Sequence, residues 1–231
     1  MNKLWVVVTA AGSSRRMGGS NKLLLPIQGR PLLVHTLDYF QRETSVDGMV
    51  VSAPAEQVED YQALVARYAL TKVLQVVAGG AERQDSIRLA LQALPARPED
   101  AVAIHDGARP CLAPDLLSRL LRALQGAQGS LPMVAVKDTI KRVDAQGMVQ
   151  QTLLRSELYA AQTPQLFRYQ AIVQAHQKAH HQGFLGTDDC SLIEYFGGSI
   201  QSVDGDYRNL KVTTPEDLEI VEKYFQAAAR V

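Results

Sequence analysis

Between Leu4 and Val136 short apolar runs alternate with longer amphipathic ones, and this restricts the possible folds more than any single motif. The short runs are residues 4–8, 48–53, 73–78, 101–104 and 133–136. They are rich in β-branched and small apolar residues, the pattern of strands covered on both faces. The stretches between them repeat at helical spacing. Leu33, Leu37 and Phe40 mark one, after Pro31 at a first-turn position. Val58, Tyr61, Leu64, Val65 and Tyr68 mark a second over residues 54–69, and Ile87, Ala90, Leu91 and Leu94 a third over about 84–94. Leu116, Leu117, Leu120, Leu121 and Leu124 mark a fourth. Such alternation predicts an α/β fold: a Rossmann-like, mostly parallel sheet, flanked by helices and wound by right-handed crossovers.

In sheets of this kind ligands bind beyond the carboxyl ends of the strands. Three unusual segments fall there: residues 10–12, 79–86 and 105–109. Ala10, Ala11 and Gly12 carry almost no side chain, so the backbone can lie against a bulky ligand and offer its N–H groups. Arg15, Arg16 and Lys22 follow, cations that suit a polyphosphate; the plainer alternative is a tight turn followed by a solvated basic loop. The segment has neither Gly-Lys-Ser/Thr nor G-x-G-x-x-G. After Gly79 and Gly80, the residues Glu82, Arg83, Asp85 and Ser86 either open a helix or present Ser86 to a ligand. His105 and Asp106 could meet a metal or a sugar hydroxyl, or Asp106 could cap the turn and pair with Arg109; the position at the sheet edge favours function.

Beyond Val136 the pattern changes. Residues 137–143 and 148–154 flank the turn Asp144-Ala145-Gln146-Gly147 and read as a β-hairpin. It is too polar and short to stand alone, so it must lie on its own domain or on a second chain. Residues 160–167 read as a Pro-broken link, 169–182 as a helix, 190–196 as a short helix capped by Thr187-Asp188-Asp189, and 199–203 as a strand. Thr214-Pro215-Glu216-Asp217 opens the last helix, with Leu218, Val221, Tyr224 and Phe225 on one face. Taken singly, Arg155 reads as a solvated arginine and Lys211 as a strand-edge lysine. His176 and His180 have metal-type i,i+4 spacing, but no acid is close in sequence, and the favoured reading is a solvated helix face.

Composition closes off several classes. Twenty-four basic and 24 acidic residues leave no surplus positive charge to attract nucleic acid or an anionic membrane. The N-terminal apolar run is short and is followed by Arg15-Arg16, unlike a signal peptide, and no stretch is long enough to span a bilayer. Cys111 and Cys190 form neither a metal motif nor a disulfide framework, so a cytoplasmic location is expected.

In order, AAGSSRRM, Lys22, GGAERQDS, HDGARP, VKDTIKRV, LLRSELYAAQTPQLF, GTDDCS and NLKVTTPEDL form a series that resembles the 2-C-methyl-D-erythritol 4-phosphate cytidylyltransferases of the non-mevalonate isoprenoid pathway. The resemblance covers essentially the whole chain, and the C-terminal pieces are its most specific part. It implies one nucleotidyltransferase-type domain over residues 1–231, with a dimerisation arm at about 137–155 that crosses to complete a neighbour's site. It implies that Ala10, Ala11, Gly12, Gly79, Gly80, Arg83, Ser86 and Asp106 embrace CTP, with Mg²⁺ bound beside it and Asp106 as a possible metal ligand. Arg16 and Lys22 match the residues that stabilise the reacting phosphates; Arg155 and Lys211 match those that position methylerythritol phosphate, with Arg109, Thr139 and Thr163 as further substrate contacts. Ser14, Leu23 and Gly107 depart from the residues usual in the family, which has Gly, often Gln and commonly Ala there; Ser14 bears on the triphosphate cradle.

The chemistry so implied needs no general base, because a phosphate monoester with a second pKa near 6 is largely ionised at neutral pH. It needs cations to hold two polyanions in line. Two alternatives remain at this point: a ribitol 5-phosphate cytidylyltransferase on the same scaffold, and a catalytically inactive nucleotide-binding module.

Overall fold

A computed structural model describes residues 2–12 and 21–228. In chain order the elements are β1 (Leu4–Thr9), the two-residue strands β2 (Pro26–Ile27) and β3 (Arg30–Pro31), α1 (Leu32–Arg42), β4 (Gly48–Ala53), α2 (Val58–Arg67), β5 (Val73–Ala78), α3 (Arg83–Gln92), β6 (Ala101–Asp106) and α4 (Leu116–Ala123). There follow β7 (Gly129–Ala135), β8 (Lys141–Val143), β9 (Val149–Thr152), β10 (Tyr159–Ala161), β11 (Gln165–Arg168), α5 (Tyr169–Gln182), α6 (Asp189–Tyr195), β12 (Ile200–Asp204) and α7 (Pro215–Ala228).

The first half folds as its periodicity requires. β1 lies between β4 and β6, parallel to both, and β5 extends the sheet beyond β4 in the same direction. Because side chains alternate across a pleated strand, β1 feeds two cores. Leu4, Val6 and Val8 pack on one face with Leu33, Leu37 and Phe40 of α1, Tyr61 of α2 and Leu117 and Leu120 of α4. Trp5 and Val7 pack on the other with Ile87 and Leu91 of α3, and with Phe167 and Ile172. β1, β4 and β6 are buried on both sides and have no polar face, which is why their runs carry no alternation; β5 departs from that expectation, because it is the edge strand and leaves Leu74 half exposed.

Residues 159–168 overturn the reading of a Pro-broken link. They form two strands, β10 and β11, that run antiparallel along β7. The register steps from Ala161 opposite Met133 to Leu166 opposite Ser130, so the strand carries two extra residues around Thr163 and Pro164, just after Gln162 N–H makes its bond to Pro132 O at 2.9 Å. Proline punctuates the run without ending it, because the bulge needs no ladder donor from Pro164. β11 also pairs with β6, and β12 pairs with the far side of β7, so the sheet is mostly parallel with β10 and β11 as its antiparallel members. β6 runs on to Asp106, two residues further than its apolar pattern suggests, and β7 begins at Gly129.

The hairpin is present but shorter than expected. β8 and β9 pair with each other in a separate two-stranded sheet. Val143, Met148, Val149 and Leu154 are each more than half exposed along it.

Phe167 is wholly buried on β11, and its ring occupies space that only the absent side chain of Gly129 allows, since a Cβ there would lie 2.7 Å from Phe167 Cδ1. Phe167→Ala is expected to cost about 3–5 kcal/mol, read as a lower urea midpoint with unchanged slope.

Candidate active site

The carboxyl ends of β1 and β6 and the first turn of α3 enclose a cavity of about 470 Å³. Backbone bonds hold its rim: Ala10 N–H donates to Ser52 O at 2.8 Å, Gly79 N–H to Ala53 O at 2.8 Å and Gly107 N–H to Thr9 O at 2.9 Å. The segments after β1 and β5 touch so closely that a Cβ on Gly79 would lie 2.5 Å from Ala11 Cβ and 2.8 Å from Ser86 Oγ. The Ser86 hydroxyl accepts from Gly80 N–H at 3.0 Å and donates to Glu82 O at 3.1 Å. Ser86 therefore shapes the glycine turn and lines the cavity at the same time.

Asp106, the last residue of β6, is the electrostatic centre. Its carboxylate receives Lys211 Nζ at 3.0 Å, Arg109 Nε at 3.4 Å and Arg83 Nε at 3.6 Å. Burial works against ionisation, but the charges of Lys211, Arg83 and Arg109 outweigh it and hold the carboxyl below its ordinary range. Arg83 is held from its other end by buried Asp189, whose Oδ2 lies 2.9 Å from Nη1.

His105, beside Asp106, faces away from solvent with both ring nitrogens occupied. Nε2 lies 3.0 Å from Arg109 O, and a carbonyl only accepts, so the proton sits on Nε2. Nδ1 then accepts from the Thr163 hydroxyl at 3.0 Å, which in turn accepts from Asp106 N–H at 3.1 Å. Burial drives the His105 pKa down to about 4. Thr163 thus sits behind the site and fixes the end of β6.

A strap after β12 brings in the remaining lysine. Val212 N–H donates to Ala108 O at 2.9 Å, Arg109 Nη1 to Asn209 O at 2.7 Å and buried Asn209 Nδ2 to Thr163 O at 2.8 Å. Tied at those points, the strap points Lys211 at Asp106, and Val212 O accepts Lys22 Nζ at 2.7 Å. Lys211 is not on a strand, and Asn209, which opens the NLKVTTPEDL motif and which no local pattern marks as an anchor, ties the segment down.

Of the residues singled out from the sequence, Ala10, Ala11, Gly12, Lys22, Gly80, Arg83, Ser86, Asp106 and Lys211 line the cavity. Gly79 stands behind its wall, and Arg109 flanks Asp106. Thr139 and Arg155 are exposed near the hairpin, outside this lining, with Arg155 Nη1 donating to Lys137 O at 3.0 Å. Ser14, Arg15 and Arg16 lie outside the described residues. His176 corrects the sequence reading: it is 1% exposed, not on a solvated face, and Nε2 meets Asp189 Oδ1 at 3.1 Å. The acid missing from its own helix is supplied by α6. Leu23, one of the departures noted above, is buried in the core, and a Cβ on Gly107 would come within 3.0 Å of Leu33 Cδ1 and Thr9 O.

The family model of 2-C-methyl-D-erythritol 4-phosphate cytidylyltransferase matches residues 4–227. The chain belongs to that family. A cytidylyltransferase of this name from Syntrophotalea carbinolica is 47% identical over 223 residues, covering 96% of this chain and 95% of the relative. One from Geotalea uraniireducens is 43% identical, covering 97% of each. The crystal structure of 4-diphosphocytidyl-2C-methyl-D-erythritol synthase from Anaerococcus prevotii superposes with a TM-score of 0.85 at 29% identity, covering 97% of this chain and 99% of that one. That of the Francisella tularensis cytidylyltransferase gives 0.83 at 28%, covering 96% and 99%.

In this cytidylyltransferase His105 couples the site to pH. Its folded pKa, about 4, lies below the unfolded value of 6.5, so the unfolded chain binds more protons between those limits. Stability from the neutral ring is complete above pH 6.5 and is lost as pH falls toward 4, by on the order of 3 kcal/mol. Denaturant titrations between pH 7 and 4 should show a slope in the native protein that His105→Gln flattens.

Proposed function

We propose that this chain transfers the cytidylyl group of CTP to 2-C-methyl-D-erythritol 4-phosphate, forming 4-diphosphocytidyl-2-C-methyl-D-erythritol and pyrophosphate in isoprenoid precursor synthesis. The observation that carries the reading is the charge pattern of the cavity: Lys211, Arg83 and Arg109 surround the buried Asp106 carboxylate and Lys22 lines the same cavity, behind a glycine wall where the backbone can approach a ligand. Two polyanions can be held together only where positive charge exceeds negative, and this cavity supplies it.

The phosphate monoester oxygen attacks the α-phosphorus of CTP, and the bond to the β-phosphate oxygen breaks, releasing pyrophosphate. The nucleophile arrives ionised, so no base is needed. That agrees with His105, the imidazole at the end of β6, whose nitrogens are both engaged within the protein. Residues 10–12 and 79–80 take the nucleotide along their backbones. Lys22, with Arg16, offsets charge on the α-phosphoryl oxygens and the leaving group, while Lys211, Arg109 and Arg155 grip the incoming phosphate, with Thr139 on the arm and Thr163 behind the site. Asp106 fits Mg²⁺. It is a hard oxygen ligand at the cavity floor, and among the described residues no cluster of three or more His, Cys, Asp or Glu forms a closed metal cage. Mg²⁺ takes one or two carboxylates together with substrate phosphates and water, and would add charge neutralisation on the triphosphate.

We further infer that residues 1–231 act as one nucleotidyltransferase domain in the cytoplasm, as a homodimer joined through the arm at about 137–155. The exposed Val143, Met148, Val149 and Leu154 support that arrangement, as does the position of Arg155 and Thr139 outside their own chain's cavity lining. Neither nucleic acid nor a membrane is needed as a partner, and among the described residues no helix is long and apolar enough to cross a bilayer.

Pyrophosphate release, assayed with each NTP against a panel of sugar phosphates, tests the reading. Activity should require CTP, methylerythritol phosphate and Mg²⁺. Faster turnover with ribitol 5-phosphate reassigns the substrate, and CTP binding without any turnover makes the chain a binding module. Lys22→Ala should lower kcat about 10²–10³-fold, roughly 3–4 kcal/mol, while CTP binding changes far less.

If the arm crosses, Arg155 serves the partner's site and Lys211 its own. Arg155→Ala and Lys211→Ala homodimers should both be nearly inactive. Unfolded and refolded together, about half the dimers are mixed and each has one intact site, so roughly a quarter of native activity returns. No recovery despite confirmed exchange means that both residues act within one chain.

A further inference from the structure

Arg83 is the cavity residue with the deepest support. Its Nη1 meets Asp189 Oδ2 at 2.9 Å, and the other oxygen of that carboxylate meets His176 Nε2 at 3.1 Å. Asp189 and His176 are each 1% exposed, on α6 and α5, and neither lines the cavity. A continuous line of contacts thus runs from the buried face of α5 through α6 and α3 to Asp106, 3.6 Å from Arg83 Nε.

This arrangement is costly as a purely structural device. Burying a carboxylate penalises it, and a buried ion pair commonly does no better than apolar residues of the same volume. Packing of α5 on α6 would be served as well by a leucine at residue 176. What a leucine cannot do is donate a hydrogen bond that fixes the rotation of Asp189. That rotation matters because Arg83 has two carboxylates to choose between. Its Nε lies 3.6 Å from Asp106 while its Nη1 lies 2.9 Å from Asp189, so the two carboxylates together set where the guanidinium lies on the cavity wall.

We propose that His176 and Asp189 are positioning residues for nucleotide binding, acting through Arg83. The backbone at this point is secured independently, since Gln84 Nε2 donates to Phe184 O at 2.9 Å and Gly186 N–H donates to Gln84 Oε1 at 3.0 Å. Loss of the His176 side chain should therefore leave the loop before α6 in place while freeing the Asp189 carboxylate. The proposal rests on the CTP-dependent reading of the cavity.

The test is a double-mutant cycle read by equilibrium binding of CTP with Mg²⁺ in calorimetry, with turnover measured alongside. His176→Leu should weaken CTP binding about tenfold to a hundredfold, as expected when a binding group is displaced by the order of an ångström. His176→Gln, whose amide can donate from a similar position, should recover most of the loss. In an Arg83→Leu background His176→Leu should change CTP binding no further, because its target is gone. An equal loss in both backgrounds, or unchanged binding in the first, overturns the proposal. Asp189→Asn, which keeps shape and removes charge, repeats the cycle if His176→Leu does not fold and should show the same dependence on Arg83. A native protein that binds CTP without transferring cytidylyl sinks the proposed reaction alone. Independent effects of residues 176 and 83 in an active enzyme sink this inference alone.

Discussion

The site depends on keeping one buried carboxylate ionised. Asp106 is withdrawn from water at the end of β6, where an isolated charge would be expelled or neutralised by a proton. Arg83, Arg109 and Lys211 prevent that, each from a different segment: the first turn of α3, the turn after β6, and the strap after β12. Misplacing any of the three leaves the carboxylate short of counter-charge, so the positions of these segments are tied together. The same assembly leaves an excess of cations facing the cavity, which a polyanionic substrate can use.

Around this centre, the backbone forms much of the cavity wall. The segments following β1 and β5 meet at a distance that admits no Cβ on Gly79, and Ser86 spends its hydroxyl on the turn that brings Gly80 to the wall. His105 and Thr163 do for β6 what Ser86 does for that turn. Their hydrogen bonds engage the Asp106 N–H and both imidazole nitrogens behind the carboxylate. An imidazole so engaged is a spacer with fixed geometry, and a phosphate nucleophile asks for nothing more.

The C-terminal half divides its labour between a strap and an arm. The strap, anchored through Asn209 and Val212, faces inward and completes the cavity with Lys211. The hairpin faces outward and leaves Val143, Met148, Val149 and Leu154 more than half exposed. The family model spans both halves, over residues 4–227.

Much of this was legible before any coordinates. Buried parallel strands announce themselves as apolar runs without alternation, so β1, β4 and β6 could be placed from residues alone; the same pattern located β5 but not its exposure at the sheet edge. The rule that ligands collect at strand carboxyl ends then selected residues 10–12, 79–86 and 105–109, all of which meet at the cavity or directly behind it. Tertiary structure decided what local pattern cannot encode. Residues 159–168 look like a broken link because Pro164 interrupts them, yet the neighbouring strands β6 and β7 hold them in the sheet. His176 looks solvated because its own helix has no acid, and its partner Asp189 comes from the next helix. Lys211 and Asn209 look unremarkable until the strap folds back on Thr163 and Asp106. Periodicity is a property of neighbours along the chain, so it fixes which residues face a core. The partners of a buried charge come from wherever the fold brings an opposite charge, and the order of residues along the chain does not say where that is.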